Sequence, residues 1–178
     1  MTILGIAGSL RKGSLNRKLL ASAAAASPDG VTMEIAEFAD IPVFDQDLET
    51  PLPPSVAAFK ERLKVADAVL IATPEYNYGI PGPLKNLIDW ASRPFGENVW
   101  EGKTVAMMGA SPGALGTVRA QTQLRQVLHG VGARCVASPE VYVGTADAKF
   151  DADGNLTDGR TKEMVRALIE ALVVEARR

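Results

Sequence analysis

Three short segments of this 178-residue chain combine residue types that can do chemistry. The first reads Gly8-Ser9-Leu10-Arg11-Lys12-Gly13-Ser14-Leu15-Asn16 and sets hydroxyls, a guanidinium, a carboxamide and two glycines directly before a stretch of helical period. Free N–H groups at a helix start, together with the positive end of the helix dipole, favour an anion. Ser9, Ser14 and Asn16 can add donors, and Arg11 adds a fork matched to phosphate oxygens. The segment predicts a cradle for a terminal phosphate. It is not a P-loop: Gly8 and Gly13 have the spacing of G-x-x-x-x-G-K-[ST], but Ser14 stands where the lysine is needed. Nor do Gly5, Gly8 and Gly13 make the dinucleotide pattern G-x-G-x-x-G.

The second segment, Thr73-Pro74-Glu75-Tyr76-Asn77-Tyr78-Gly79-Ile80-Pro81-Gly82-Pro83, is stiffened by three prolines and carries two tyrosines. Its glycines allow close approach, and its tyrosines offer flat faces for stacking, which suits a planar aromatic ligand. In the third, Ala110-Ser111-Pro112-Gly113-Ala114-Leu115-Gly116-Thr117, hydroxyls and glycine backbone can bond the polar edge of such a ring.

Short apolar runs alternate with stretches of helical period, the pattern of strand-helix-strand units on a parallel sheet. The strands are expected over Ile3–Ala7, Val31–Ala36, Ala68–Ala72 and Thr104–Met108, with a weaker fifth over Arg134–Ala137 and Val141–Val143. Apolar stripes mark the helices: Leu15, Leu19, Ala23; Val56, Phe59, Leu63; Leu84, Leu87, Ile88, Ala91; Ala120, Leu124, Val127, Leu128, Val131; and Val165, Leu168, Ile169, Leu172. Five such pairs fit one α/β domain over 1–178, a three-layer sandwich with a five-stranded parallel sheet in order 2-1-3-4-5. In that order ligands sit beyond the strand C-termini, where all three segments fall.

Composition narrows the partners. Apolar residues make up 47% and charged residues 22% of the chain, close to the globular averages of about 45–50% and about 25%. Nineteen basic against twenty-one acidic residues leave a net charge of -2, which supplies no field for a nucleic-acid backbone. The single cysteine, Cys135, allows no intrachain disulfide or multi-cysteine metal site and fits a reducing cytoplasm. No apolar run approaches the roughly 20 residues of a membrane span, and no basic export leader opens the chain. His129, the only histidine, sits at a helix end, where the dipole accounts for it. Asp151-Ala152-Asp153-Gly154-Asn155 is read as a turn, since Leu156 and Lys162 stand where a calcium loop needs Gly and Glu. Arg119 and Arg125 are open to three roles: surface charge, subunit contact or dinucleotide phosphate site.

A phosphate cradle facing a stacked, edge-bonded ring describes flavin mononucleotide (FMN). The chain resembles the NADPH-dependent FMN reductase family, which includes quinone, chromate and azo reductases. Gly8-Ser9-x-Arg11-x-x-Ser14-x-Asn16 is similar to that family's phosphate motif. Pro74-Glu75-Tyr76-Asn77, followed by Ile80-Pro81-Gly82-x-Leu84-Lys85-Asn86-x-Ile88-Asp89-Trp90, is similar to its ring-loop signature. The likeness runs to about Val143. It implies a flavodoxin-like fold, with phosphate contacts from Arg11, Ser14, Leu15 and Asn16 beside the Ser9 donor, ring contacts from Pro74, Glu75, Tyr76 and Asn77, and looser ones from Ala110, Ser111 and Gly113. It also implies hydride transfer from NADPH or NADH through FMN to small acceptors such as quinones, with no catalytic side chain and no metal. A flavodoxin-type electron carrier is the competing class, disfavoured by the low net charge; a flavin-binding regulatory protein is a third. Tyr78, Trp90, Phe95 and Trp100 are expected beside the open side of the ring, covered by a partner in a homodimer or a dimer of dimers.

Overall fold

A computed structural model describes residues 1–178. Strands and helices alternate: β1 (Thr2–Ala7), α1 (Leu15–Ala25), β2 (Thr32–Ala36), α2 (Pro54–Val65), β3 (Ala68–Ala72), α3 (Gly82–Ala91), β4 (Thr104–Ala110), α4 (Val118–Gly130), β5 (Arg134–Cys135), β6 (Val141–Val143) and α5 (Gly159–Ala176). Every ladder is parallel, and the order β2-β1-β3-β4-β5 is the one expected of a flavodoxin-like sheet.

The fifth position is split. β5 pairs with Thr104 and Val105 at the start of β4, and β6 with Met108 to Ala110 at its end. Between them lies Ser138-Pro139, whose proline nitrogen has no hydrogen for a ladder. The run expected over Arg134–Ala137 is a strand over Arg134–Cys135 only, with the Val136 N–H making the last bond to the Val105 carbonyl (2.9 Å).

β3 and β4 are buried along their whole length, because helices cover both faces of the sheet. One layer packs Leu19 and Leu20 of α1 against Leu168, Ile169 and Leu172 of α5. The other packs Phe59 and Leu63 of α2, Leu84 and Leu87 of α3, and Leu124 and Leu128 of α4. Each such side chain contributes about 1.5–3 kcal/mol by leaving water. β2 lies at the edge, and most of it is open to solvent.

Two of the aromatics expected beside the ring are core residues. Trp90 and Trp100 are fully buried, and their indole N–H groups donate to the carbonyls of Pro42 (2.8 Å) and Ile88 (3.2 Å). A tryptophan that finds both an apolar bed and an acceptor has no reason to face water. Phe95 and Tyr78 remain exposed, at 94% and 66%.

Candidate active site

The ends of β1, β3 and β4 bring the three segments together at one rim of the sheet, around a cavity of about 90 Å³. Ser9, Arg11, Ser14, Leu15, Asn16, Pro74, Glu75, Tyr76, Ala110, Ser111 and Pro112 line it. All the expected contact residues except Asn77 and Gly113 are among them. The cavity has room for a phosphate group and not for a three-ring system, so a planar ligand has to lie outside it, on the loops.

Ser14 caps α1. Its hydroxyl oxygen accepts from the N–H groups of Asn16 (3.2 Å) and Arg17 (3.4 Å), which leaves its own O–H to donate. The N–H groups of Lys12, Gly13 and Leu15 have no acceptor within the chain. Arg11 is exposed at the lip. Free backbone donors, two hydroxyls and a guanidinium are the donor set a phosphate dianion needs.

Asn16 has a task the sequence does not announce. Its amide donates to the Ala110 carbonyl (2.9 Å) and accepts from the Ala110 N–H (2.8 Å), clipping the start of α1 to the end of β4 as a neighbouring strand would. Arg17 also holds the first segment: its Nε donates to the Ser9 carbonyl (3.3 Å) and its fork to both oxygens of Glu37 (2.8 Å each). Ala110 and Glu37 are not visible as partners in the sequence, since only the sheet brings them close to the start of α1.

The second segment turns back at Asn77-Tyr78, both with positive φ (49° and 68°), and the Tyr76 and Gly79 backbones bond each other in both directions at 3.0 Å. The N–H groups of Glu75 and Asn77 have no acceptor within the chain and can meet a ligand edge. The tyrosines are not simple stacking plates. Tyr76 Oη lies 3.3 Å from Ser9 Oγ, and one face of Tyr78 is covered by the Arg119 guanidinium at 4.0 Å.

Glu75 ties this segment to α4. Its carboxylate accepts from the N–H groups of Arg119 (2.9 Å) and Ala120 (3.1 Å), and from the Arg119 guanidinium (3.0 Å), and so caps a helix whose own Thr117 makes no side-chain cap. Burial pushes this carboxyl's pKa up, but the bonds from Ala120 and Arg119 outweigh it and hold it below the usual carboxylate range. Arg125 donates to the Val136 carbonyl (2.8 Å) and lies 3.7 Å from Glu140. Both arginines of α4 are thus engaged within the chain.

Two glycines let the rim close. A Cβ on Gly109 would lie 1.9 Å from Thr117 Oγ1 and 2.4 Å from the Thr73 carbonyl. One on Gly8 would press Leu84, Pro74 and Pro81. His129 is exposed on α4, and burial pushes the Cys135 thiol's pKa up, which suits the small-hydrophobe reading of that cysteine.

Residues 1–148 match the family described as NADPH-dependent FMN reductase. The chain is 44% identical over 177 residues to an NAD(P)H-dependent FMN reductase of Pseudomonas aeruginosa, covering 99% of this chain and 95% of that protein. It is 45% identical to an NAD(P)H:quinone oxidoreductase of Solanum tuberosum, covering 96% and 90%. Its fold superposes with a TM-score of 0.92 on FerB, a flavoenzyme NAD(P)H:(acceptor) oxidoreductase of Paracoccus denitrificans, at 38% identity and with 99% and 97% covered. An archaeal flavodoxin shares the fold alone, at 11% identity and a TM-score of 0.65. The free donors around a phosphate-sized cavity fit the mononucleotide this family uses, and the chain belongs to the NADPH-dependent FMN reductase family of flavodoxin-like oxidoreductases.

Proposed function

We propose that the chain, as one FMN-binding domain over 1–178, takes a hydride from NADPH or NADH onto bound FMN and passes the electrons to small acceptors such as quinones. The observation that carries this is the convergence of the three segments on one phosphate-sized cavity with loops Pro74–Tyr76 and Ala110–Pro112 at its mouth. Bound FMN would supply the hydride acceptance and electron transfer. Ser9, Ser14, Arg11 and the free N–H groups of Lys12, Gly13 and Leu15 hold its phosphate. The N–H groups of Glu75 and Asn77 would meet the polar edge of a bound ring, where fixed donors favour negative charge. Ser111 would border the group from the end of β4, with Gly113 farther along the same loop.

No side chain here is assigned as a general acid or base. Nicotinamide and acceptor would share one face of the bound group and bind in turn. The protein works in the cytoplasm as a homodimer, and the quinone reductase names of its relatives support quinones as acceptors. Initial rates of NADPH oxidation at several fixed quinone concentrations test this directly. Double-reciprocal plots are expected to be parallel; intersecting lines would mean that both substrates are bound together and would overturn the shared-face reading.

A further inference from the structure

The turn in the second segment is shut in a strained form. Asn77 and Tyr78 are its two central residues, and the mutual Tyr76–Gly79 backbone bonds that close it require positive φ at both. Asparagine tolerates that conformation, but a bulky residue seldom adopts it, and glycine is the usual occupant of the position that Tyr78 fills. Such strain persists only where the surroundings over-determine the backbone. Something outside the turn has to hold it.

Helix α4 does so with two side chains one turn apart, on one face of the helix. Arg119 lies over the Tyr78 ring. Gln123 grips the backbone on either side of Gly79: its Nε2 donates to the Tyr78 carbonyl (3.2 Å), and its Oε1 accepts from the Ile80 N–H (3.4 Å). Gly79 leaves room for this grip, because a Cβ there would lie 2.9 Å from Gln123 Oε1. Ile80 in turn packs against the apolar layer of α2, α3 and α4. Gln123 therefore ties the strained residue to a fixed point.

We propose that Gln123 is a positioning residue for the flavin, holding the turn shut so that the free N–H groups of Glu75 and Asn77 stay fixed where the polar edge of the ring would lie. This role rests on the FMN reading above and gives Gln123 no contact with FMN or substrate. Fixed donors favour the more negatively charged oxidation state of a bound group, which for FMN is the reduced one. Without Gln123, Tyr78 relaxes toward negative φ, the Tyr76–Gly79 bonds open, and the donors no longer point one way. Reduced FMN then loses more than oxidised FMN, and the midpoint potential falls.

Spectroelectrochemical titration of the FMN-loaded Gln123→Ala variant is expected to show this fall, equivalent to a loss of about two- to tenfold in the affinity for reduced relative to oxidised FMN. Gln123→Met, of similar length but without an amide, is expected to follow it. In the flavin-free protein, amide exchange at Gly79, whose N–H closes the turn, is expected to quicken at least about threefold in both variants. Glycine takes positive φ without strain, so in a Tyr78→Gly background Gln123→Ala is expected to shift neither the potential nor the exchange. Unchanged Gly79 exchange, an unshifted potential, or a Gln123→Ala effect as large in the Tyr78→Gly background as in the wild type would each overturn the proposal. FMN-loaded variants with the wild-type potential defeat the role of Gln123 alone, whereas a wild-type protein that takes up no FMN defeats the flavin reading and this role with it.

Discussion

The Arg11 guanidinium stands exposed at the lip of the cradle, whereas Arg17, six residues on, is bound to Glu37 and Ser9. The first is free for a ligand, and the second holds the scaffold. Arg11→Ala removes a charge-assisted contact of about 1.5–3 kcal/mol. By fluorescence titration FMN affinity is expected to fall roughly ten- to a hundredfold, with riboflavin affinity unchanged; an equal loss for riboflavin would place the guanidinium elsewhere. Glu75 ionises in the folded protein below the usual carboxylate range, so the stability it adds is complete above its unfolded value of about 4.3 and is lost as pH falls through the lower folded one. Glu75→Gln is therefore expected to lower stability near neutral pH and to flatten the decline between pH 5 and 3, as followed by denaturant titration. The local motif made Arg11 and Ser14 legible in the sequence, because a helix cap and its donors lie within a few residues. That Glu75 lies at the cavity was legible from its loop, but its place as the cap of α4 was not, since that role depends on two chain segments 44 residues apart meeting at the sheet edge.

Among the elements, the periodic ones were the most readable. Val56, Phe59 and Leu63 of α2 and Val165, Leu168, Ile169 and Leu172 of α5 are all buried as their spacing requires. The α4 stripe is less regular, with buried Gln121 beside Ala120 and Leu124 and with Val127 only partly covered. The loop from Ser92 to Lys103 was not readable, since the burial of Trp100 depends on an acceptor at Ile88 and an apolar bed that no sequence period marks. Gly109 shows the same limit: it reads as one small residue in an apolar strand, yet α4 starts against it. Gly109→Ala forces Cβ into Thr117 Oγ1 and the Thr73 carbonyl, of which the second is backbone and cannot swing away. Overpacking of this kind costs about 1–3 kcal/mol, and the upper end is expected here by urea denaturation. An unchanged midpoint would show that the β4 to α4 junction is looser than the structure draws it.

At the scale of the whole molecule, three loops from three strands have to be held at once for the cradle to exist, so FMN should stabilise the entire fold. At a hundred times its dissociation constant a ligand adds about 2.7 kcal/mol. For a chain of this size, where each kcal/mol moves the midpoint about 2–4 °C, FMN is expected to raise Tm by about 5–11 °C. Riboflavin at the same concentration is expected to give less than half of that shift by differential scanning calorimetry. The broken fifth strand carries a different consequence. An exposed strand edge invites another chain to add on and propagate without limit, but this edge offers two residues, an interruption at Ser138-Pro139, and then three more. The opposite edge, β2, has the Ile35 carbonyl occupied by Arg62. With one border interrupted and the other partly occupied by an arginine, ladder growth from either edge of this sheet is discouraged, which lets the protein be concentrated with less tendency to fibrillate.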